Sequence, residues 1–172
     1  MTGHGNNGCS GGLMDNAFQY AIDKGMCTEN EDPYAGVEGT CDKDCKKKAE
    51  FSSCQDISSN NQKDLEKAVA QQPVSVAIEA DTSAFQFYKS GVITGDACGT
   101  NLDHGVLVVG YGTENGQDYW LVKNSWGPSW GDEGYVKIAK SNSTNDPGVC
   151  GIASRPSFPV ANTSKLSKTK MC

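Results

Sequence analysis

The chain has 172 residues, a formal net charge of −6 and a pI near 4.8, enough for one sizeable domain or two small ones sharing an interface. Its acidic residues are scattered and its basic run is confined to Lys46-Lys47-Lys48, which argues against nucleic acid as a partner. Apolar stretches such as Val106 to Gly110 fall far short of a bilayer's thickness and exclude a membrane-spanning segment.

After a Gly-rich opening, "LMDNAFQYAIDKG" places Leu13, Met14, Ala17, Phe18, Ala21 and Ile22 at helical spacing, with Gly25 as the left-handed C-cap. From Met26 to Ser59 the sequence reads as loop, with Pro33, glycines and four cysteines. A second helix is expected in "NQKDLEKAVAQQ", where Leu65, Ala68, Val69 and Gln72 share a side and Pro73 stops it. The period then changes. "VSVAIEA", "HGVLVVGYG", "DYWLVKNSW" and "GYVKIAK" read as strands, with "TENGQ" as a turn between two of them. Helices first and strands later predict an α+β protein with an antiparallel sheet or barrel in the second half and a boundary near residue 57. The ending "ANTSKLSKTK" reads as a polar tail.

Eight cysteines, at 9, 27, 41, 45, 54, 98, 150 and 172, point to disulfides in an oxidising compartment. Two sequons, at Asn142 and Asn162, point the same way. The N-terminus has neither a charged nor an apolar signal region, so the expectation is that the beginning of the natural protein is missing. Four thiolates, Cys27, Cys41, Cys45 and Cys54, have the number for a structural zinc site but lack paired C-x-x-C knuckles, which disfavours metal.

His104 opens a strand-like run. Alone, such a histidine more often satisfies a local hydrogen bond than performs chemistry. Asn124, at the end of a strand expected in the same sheet, changes that reading, because an amide oxygen can accept from one ring nitrogen and leave the other free for proton exchange. Trp126 follows closely enough to keep water from that bond. A histidine oriented by an asparagine is the base half of a cysteine-nucleophile device. His4, in a polar segment, is expected to be solvated, and Trp120 and Trp130 to be packing residues.

"NNGCSGGLMDNAFQY", "DPYAGVEGTC", "QPVSVAIEA", "LDHGVLVVGYG", "YWLVKNSWGPSWGDEGYVKIAK" and "GVCGIASRPSFPV" together closely resemble papain-like cysteine proteases, nearest the cathepsin L-like branch, in register from about residue 6 to residue 160. The resemblance implies a two-domain fold: residues 1–56 as a left-domain remnant, 57–160 as a barrel-like right β domain, and 161–172 as a tail. It implies His104 as the catalytic histidine, Asn124 as its orienting partner and Trp126 as their shield. Gly11 and Gly12 match the glycines whose backbone takes substrate as an added strand. Leu13, Met14, Ala77 and Leu102 match walls of the S2 pocket, and Asp103 is grouped with the substrate-binding residues. Arg155 falls at the S2 floor, where a guanidinium would favour an acidic substrate side chain or fold outward and leave an apolar pocket. Cys98 and Cys150 match a disulfide.

The family's nucleophile signature, C-G-[SA]-C-[WY], does not occur in the chain, nor does the glutamine that precedes it and supplies an oxyanion-hole donor. The expected disulfide partners of Cys9 and Cys41 belong to the same segment. Cys27, Cys45, Cys54 and Cys172 have no counterpart, and their pairing stays open: Cys45 with Cys54, or Cys41 with Cys27 or Cys45. The reading is therefore a cysteine endopeptidase lacking its nucleophile and inactive as this chain alone, with residues 1–56 poorly anchored. The alternative is a catalytically dead module that engages peptides or protease inhibitors. No cofactor is implied. Expected partners are peptide substrates, an inhibitory propeptide and protease inhibitors; the setting is lysosomal, vacuolar or extracellular, and the protein a monomer.

Overall fold

The computed structural model describes residues 4–40 and 47–162, and these fall into two compact units. One holds the described residues up to Gln55 together with those from Phe158 onward, and the other is Asp56–Ser157. Cys41, Cys45, Cys172 and most of the predicted tail lie outside the described residues.

The second unit begins with helix α2, Gln62–Val69. Asn61 caps it: its side-chain oxygen accepts the Asp64 N–H at 3.0 Å, an arrangement worth about 1 kcal/mol. Gln62, Leu65 and Val69 form its buried face, whereas Gln72, predicted to share that face, lies beyond the helix end. Strand β2, Val74–Ile78, alternates as its sequence does, burying Val74, Val76 and Ile78.

The other long strands of this unit are β4 (His104–Glu114), β5 (Gln117–Lys123) and β6 (Tyr135–Ala139). A two-residue strand β3, Val92–Ile93, lies parallel to β6 at the edge. The hydrogen-bonded order is β2-β4-β5-β6-β3, antiparallel except at that edge. Asn115 and Gly116, both at positive φ, make the tight turn between β4 and β5 that the "TENGQ" stretch predicts. The antiparallel sheet expected for the second half is present, and it is open rather than closed into a barrel.

Leu65, Val76, Ile78, Val108, Trp120, Val122, Val136, Ile138 and Ile152 are fully buried in the core of this unit. Among the polar side chains buried in this unit, Gln62 is hydrogen-bonded at both ends of its amide. Gln62 Oε1 accepts from Trp120 Nε1 at 3.3 Å and from the Ser141 N–H at 2.9 Å, while its Nε2 donates to Asp146 at 3.1 Å. Trp120 is thus the packing residue its sequence context predicts.

In the first unit, helix α1 spans Met14–Lys24 and ends at Gly25, whose N–H bonds back to the Ala21 carbonyl at 2.8 Å. Its apolar stripe is weakly covered: Ala21 alone is buried, while Met14, Ala17, Phe18 and Ile22 are half-buried. His4 departs from expectation. It is not solvated but lies 2.8 Å from Asp23 and edge-on to Tyr20, and its hydrogen bond is the leading cause that holds the Asp23 carboxyl below the usual aspartate range.

The stretch predicted as loop from residue 26 to 59 contains strand β1, Phe51–Asp56. Its neighbour is β7, Ser157–Ala161, about a hundred residues away, so a local reading of the sequence has no partner to recognise. Met26 and Ala49 add an isolated bridge. Cys27 and Cys54 are both disulfide-bonded, which removes their thiolates from the four-cysteine zinc set considered above.

Candidate active site

His104 is the first residue of β4, directly opposite Ile78 of β2. Asn124 follows the last residue of β5, and the β4–β5 ladder pairs Lys123 with Leu107. This register brings the two side chains together: His104 Nε2 lies 2.8 Å from Asn124 Oδ1.

The direction of that bond follows from a neighbour. The Ser125 N–H also points at Asn124 Oδ1, at 2.8 Å, and a backbone N–H can only donate. The shared atom is therefore the amide oxygen, and Nε2 of His104 must carry the proton it donates. Nδ1 of the neutral ring is left with a lone pair and has no hydrogen-bond partner among the described residues. Asn124 is only 8% exposed, and its Nδ2 is buried without a partner among the described residues, an uncompensated donor of the kind that collects at functional sites.

Aromatic rings enclose the pair. Trp126 stacks on the imidazole with centroids 5.1 Å apart and planes at 30°, and it is 41% exposed, so its outer face meets solvent. Phe85 stands edge-on to both rings, 6.5 Å from His104 and 5.5 Å from Trp126. Trp130 packs on Phe85 at 5.0 Å and on Trp126 at 5.3 Å, and its indole N–H donates to the Gln86 carbonyl at 3.0 Å. Packing is the role its sequence context predicts for Trp130.

Phe85 is fully buried and was not singled out in the sequence. It sits on the one-turn helix α3, Ser83–Gln86, too short to show a period. The loop that carries Trp126 and Trp130 turns at Gly131, where φ is 62° and a Cβ would stand 2.6 Å from the Tyr135 carbonyl oxygen.

The other residues singled out in this unit lie as follows. Asp103 accepts the Ala80 N–H at 2.8 Å and donates its own N–H to the Ile78 carbonyl at 3.0 Å, which fixes the backbone leading into His104. Ala77 is half-buried and pairs with Gly105 across β2 and β4. Leu102 is half-buried against Gly151, where a Cβ would meet its Cδ2 at 2.7 Å. Cys98 and Cys150 form a disulfide with a 2.05 Å S–S bond, joining the segment before Leu102 to the 3-10 turn Val149–Gly151. Arg155 is exposed and pairs with no carboxylate among the described residues.

Gly11, Gly12, Leu13 and Met14 belong to the first unit. Gly11 has φ 93°, and a Cβ there would meet nothing within 4 Å; at Gly12 a Cβ would run into the Asn6 side chain. The N–H and C=O of Gly12 have no backbone partner among the described residues. Asn6, also not singled out in the sequence, binds Leu13 through both ends of its amide: Oδ1 accepts the Leu13 N–H at 2.9 Å and Nδ2 donates to the Leu13 carbonyl at 3.2 Å. Leu13 is 57% exposed and Met14 opens α1. Cys9 nearby is exposed and carries a free thiol. No group of His, Cys, Asp or Glu among the described residues is arranged to hold a metal ion.

Comparison with known proteins adds the family. The family model described as papain family cysteine protease matches residues 2–160. The cysteine proteinase RD21A of Arabidopsis thaliana is 52% identical over 160 residues, 91% of this chain and 34% of that protein. The bromelain protease of Ananas comosus, solved in complex with the E64 inhibitor, superposes with a TM-score of 0.85 at 39% identity, covering 91% of this chain and 73% of the other. The ragweed pollen cysteine protease Amb a 11, solved in its proform, has a TM-score of 0.82 and 43% identity over 94% of this chain and 50% of the other. The chain spans about a third of the RD21A relative's length. A family model that matches nearly the whole chain, and structures that share its α+β fold, agree with the histidine–asparagine pair: the chain belongs to the papain family of cysteine proteases.

Proposed function

We propose that this chain supplies the proton-transferring half of a cysteine endopeptidase, with His104 as the acid and base, Asn124 as the residue that orients it and Trp126 as the shield of their bond. The carrying observation is the 2.8 Å contact from Nε2 to Asn124 Oδ1, whose polarity the Ser125 N–H dictates. With Nε2 committed, Nδ1 is the nitrogen that takes the proton of a cysteine thiol. The resulting imidazolium stabilises the thiolate and later protonates the leaving amine. The thiolate attacks the peptide carbonyl to form a thioester, and water, deprotonated by the same imidazole, releases the acid.

The chain alone is proposed to be inactive. Cys27, Cys54, Cys98 and Cys150 are in disulfides, and Cys9 is the free thiol among the described residues. The family's nucleophile signature, C-G-[SA]-C-[WY], surrounds none of them. The same cysteine states favour a second reading, in which the chain is a binding module that retains peptide or inhibitor contacts without turnover.

Gly11, Gly12, Leu13, Met14, Ala77, Leu102 and Asp103 are proposed substrate contacts, with the unengaged backbone of Gly12 suited to strand addition. Arg155, exposed and unpaired among the described residues, suits a guanidinium folded outward from an apolar pocket, the alternative being an acidic side chain two residues before the scissile bond. The E64 complex of bromelain and the proform of the ragweed protease support inhibitors and a propeptide as partners. The Cys98–Cys150 disulfide supports a lysosomal, vacuolar or extracellular setting.

Peptidase activity at mildly acidic pH under reducing conditions is the test, on this chain and on one extended by a homologous segment carrying the nucleophile. Activity is expected only in the extended form, and turnover by the short chain would overturn the proposal. In the same assay, glutamate against leucine two residues before the scissile bond separates the two placements of Arg155. A strong preference for leucine would remove the acidic pocket.

A further inference from the structure

The segment between β6 and the 3-10 turn at Val149 runs over the surface yet is held firmly. Ser141 donates its N–H to Gln62 Oε1 at 2.9 Å, the Ser143 carbonyl accepts the Gln62 N–H at 3.0 Å, and Asp146 donates its N–H to the Asn60 carbonyl at 2.7 Å. Within it, Asn142 and Thr144 are exposed while Ser143 between them is half-buried. The hydroxyl of Ser143 is occupied inside the loop, accepting the Asn145 N–H at 3.2 Å, and Ser141 Oγ accepts the Ser143 N–H at 3.2 Å. The hydroxyl of Thr144 has no partner among the described residues.

The Asn142 amide is oriented as well as exposed. Its Oδ1 faces the Lys140 ammonium at 3.4 Å, and that ammonium is anchored from the other side by Glu66 at 2.7 Å and lies over the Trp120 ring at 5.5 Å. With the oxygen turned to the protein, the Nδ2 end is the one presented to solvent. Asn142-Ser143-Thr144 thus presents an amide nitrogen and a threonine hydroxyl two residues apart on the outer side of an anchored loop, in a chain whose Cys98–Cys150 disulfide places its folding in an oxidising compartment.

We propose that Asn142 is an N-glycosylation site whose donor is a polyprenyl diphosphate-linked oligosaccharide. In the transfer, Nδ2 forms a bond to the anomeric carbon of the first sugar. The bond from that carbon to the diphosphate oxygen breaks, the electron pair leaves with the diphosphate, and one amide proton passes to a base of the transferase. Because Nδ2 already points outward, the glycan sits in solvent and leaves the Lys140–Glu66 pair and the Gln62 hydrogen bonds in place. Asn162 carries the other sequon, and the test separates the two.

The full chain behind an export signal is translated into microsomes and digested with peptide N-glycosidase. The expected result is a glycosidase-sensitive shift that Asn142→Gln and Thr144→Ala each reduce by one glycan, while Asn162→Gln leaves that glycan in place. Peptide mass mapping of the unmutated chain reads occupancy without relying on the variants, and is expected to find residue 142 mostly modified. A shift untouched by Asn142→Gln, or a translocated chain with residue 142 mostly bare, would overturn the proposal.

Discussion

A single oxygen decides the polarity of the candidate site. Asn124 Oδ1 accepts from both Ser125 and His104, so the backbone, which cannot switch roles, selects the imidazole tautomer. Removing that amide leaves the ring free to rotate and to exchange tautomers. For Asn124→Ala in the extended enzyme, kcat/KM is expected to fall by about a hundredfold, the scale of losing a positioned acid–base group. In the short chain the nitrogen resonances of His104 are expected to change from a single Nε2-protonated form to a mixture. Unchanged resonances would show that the asparagine does not set the tautomer.

At the scale of elements, the short helix α3 exists to deliver Phe85. Its one turn buries no other residue, and its end is tied down by the Trp130 indole donating to the Gln86 carbonyl. Phe85 then holds Trp126, which holds one face of His104. Phe85→Leu keeps an apolar side chain but loses both edge contacts, and is expected to cost about 1–3 kcal/mol in a denaturant titration. The informative readout is kcat/KM of the extended enzyme, measured where both forms are fully folded. A role in positioning His104 lowers it there, whereas a purely structural role lowers stability and leaves it in place.

Across the molecule, the two units differ in how they are held. The second has a contiguous apolar core and a five-stranded ladder, whereas α1 in the first buries a single residue and relies on Gly25, Asn6 and the His4–Asp23 contact to define its ends. Hydrogen exchange is expected to show strong protection in β2, β4 and β5 and markedly weaker protection in α1, since protection follows local packing. Equal protection of α1 and the β4–β5 ladder would contradict that account.

The sequence by itself determined the elements with a strong local period and the residues that carry a motif. The alternation of β2, the Asn115-Gly116 turn, both main helices, and the meeting of His104, Asn124 and Trp126 were all legible, because each depends on neighbours a few positions away or on a resemblance spread over the whole chain. Only the tertiary structure decided which strands exist by pairing alone, as β1 does with β7, and which side chains converge from distant segments. Phe85 lies 19 residues from His104 and 41 from Trp126, and Asn6 acts through a contact with Leu13 that no periodicity announces. His4 makes the same point from the other side: its surroundings look polar in sequence, yet Tyr20 and Asp23 enclose it once α1 has formed. Local sequence encodes backbone preference and burial period, whereas convergence depends on register and packing summed over the whole chain.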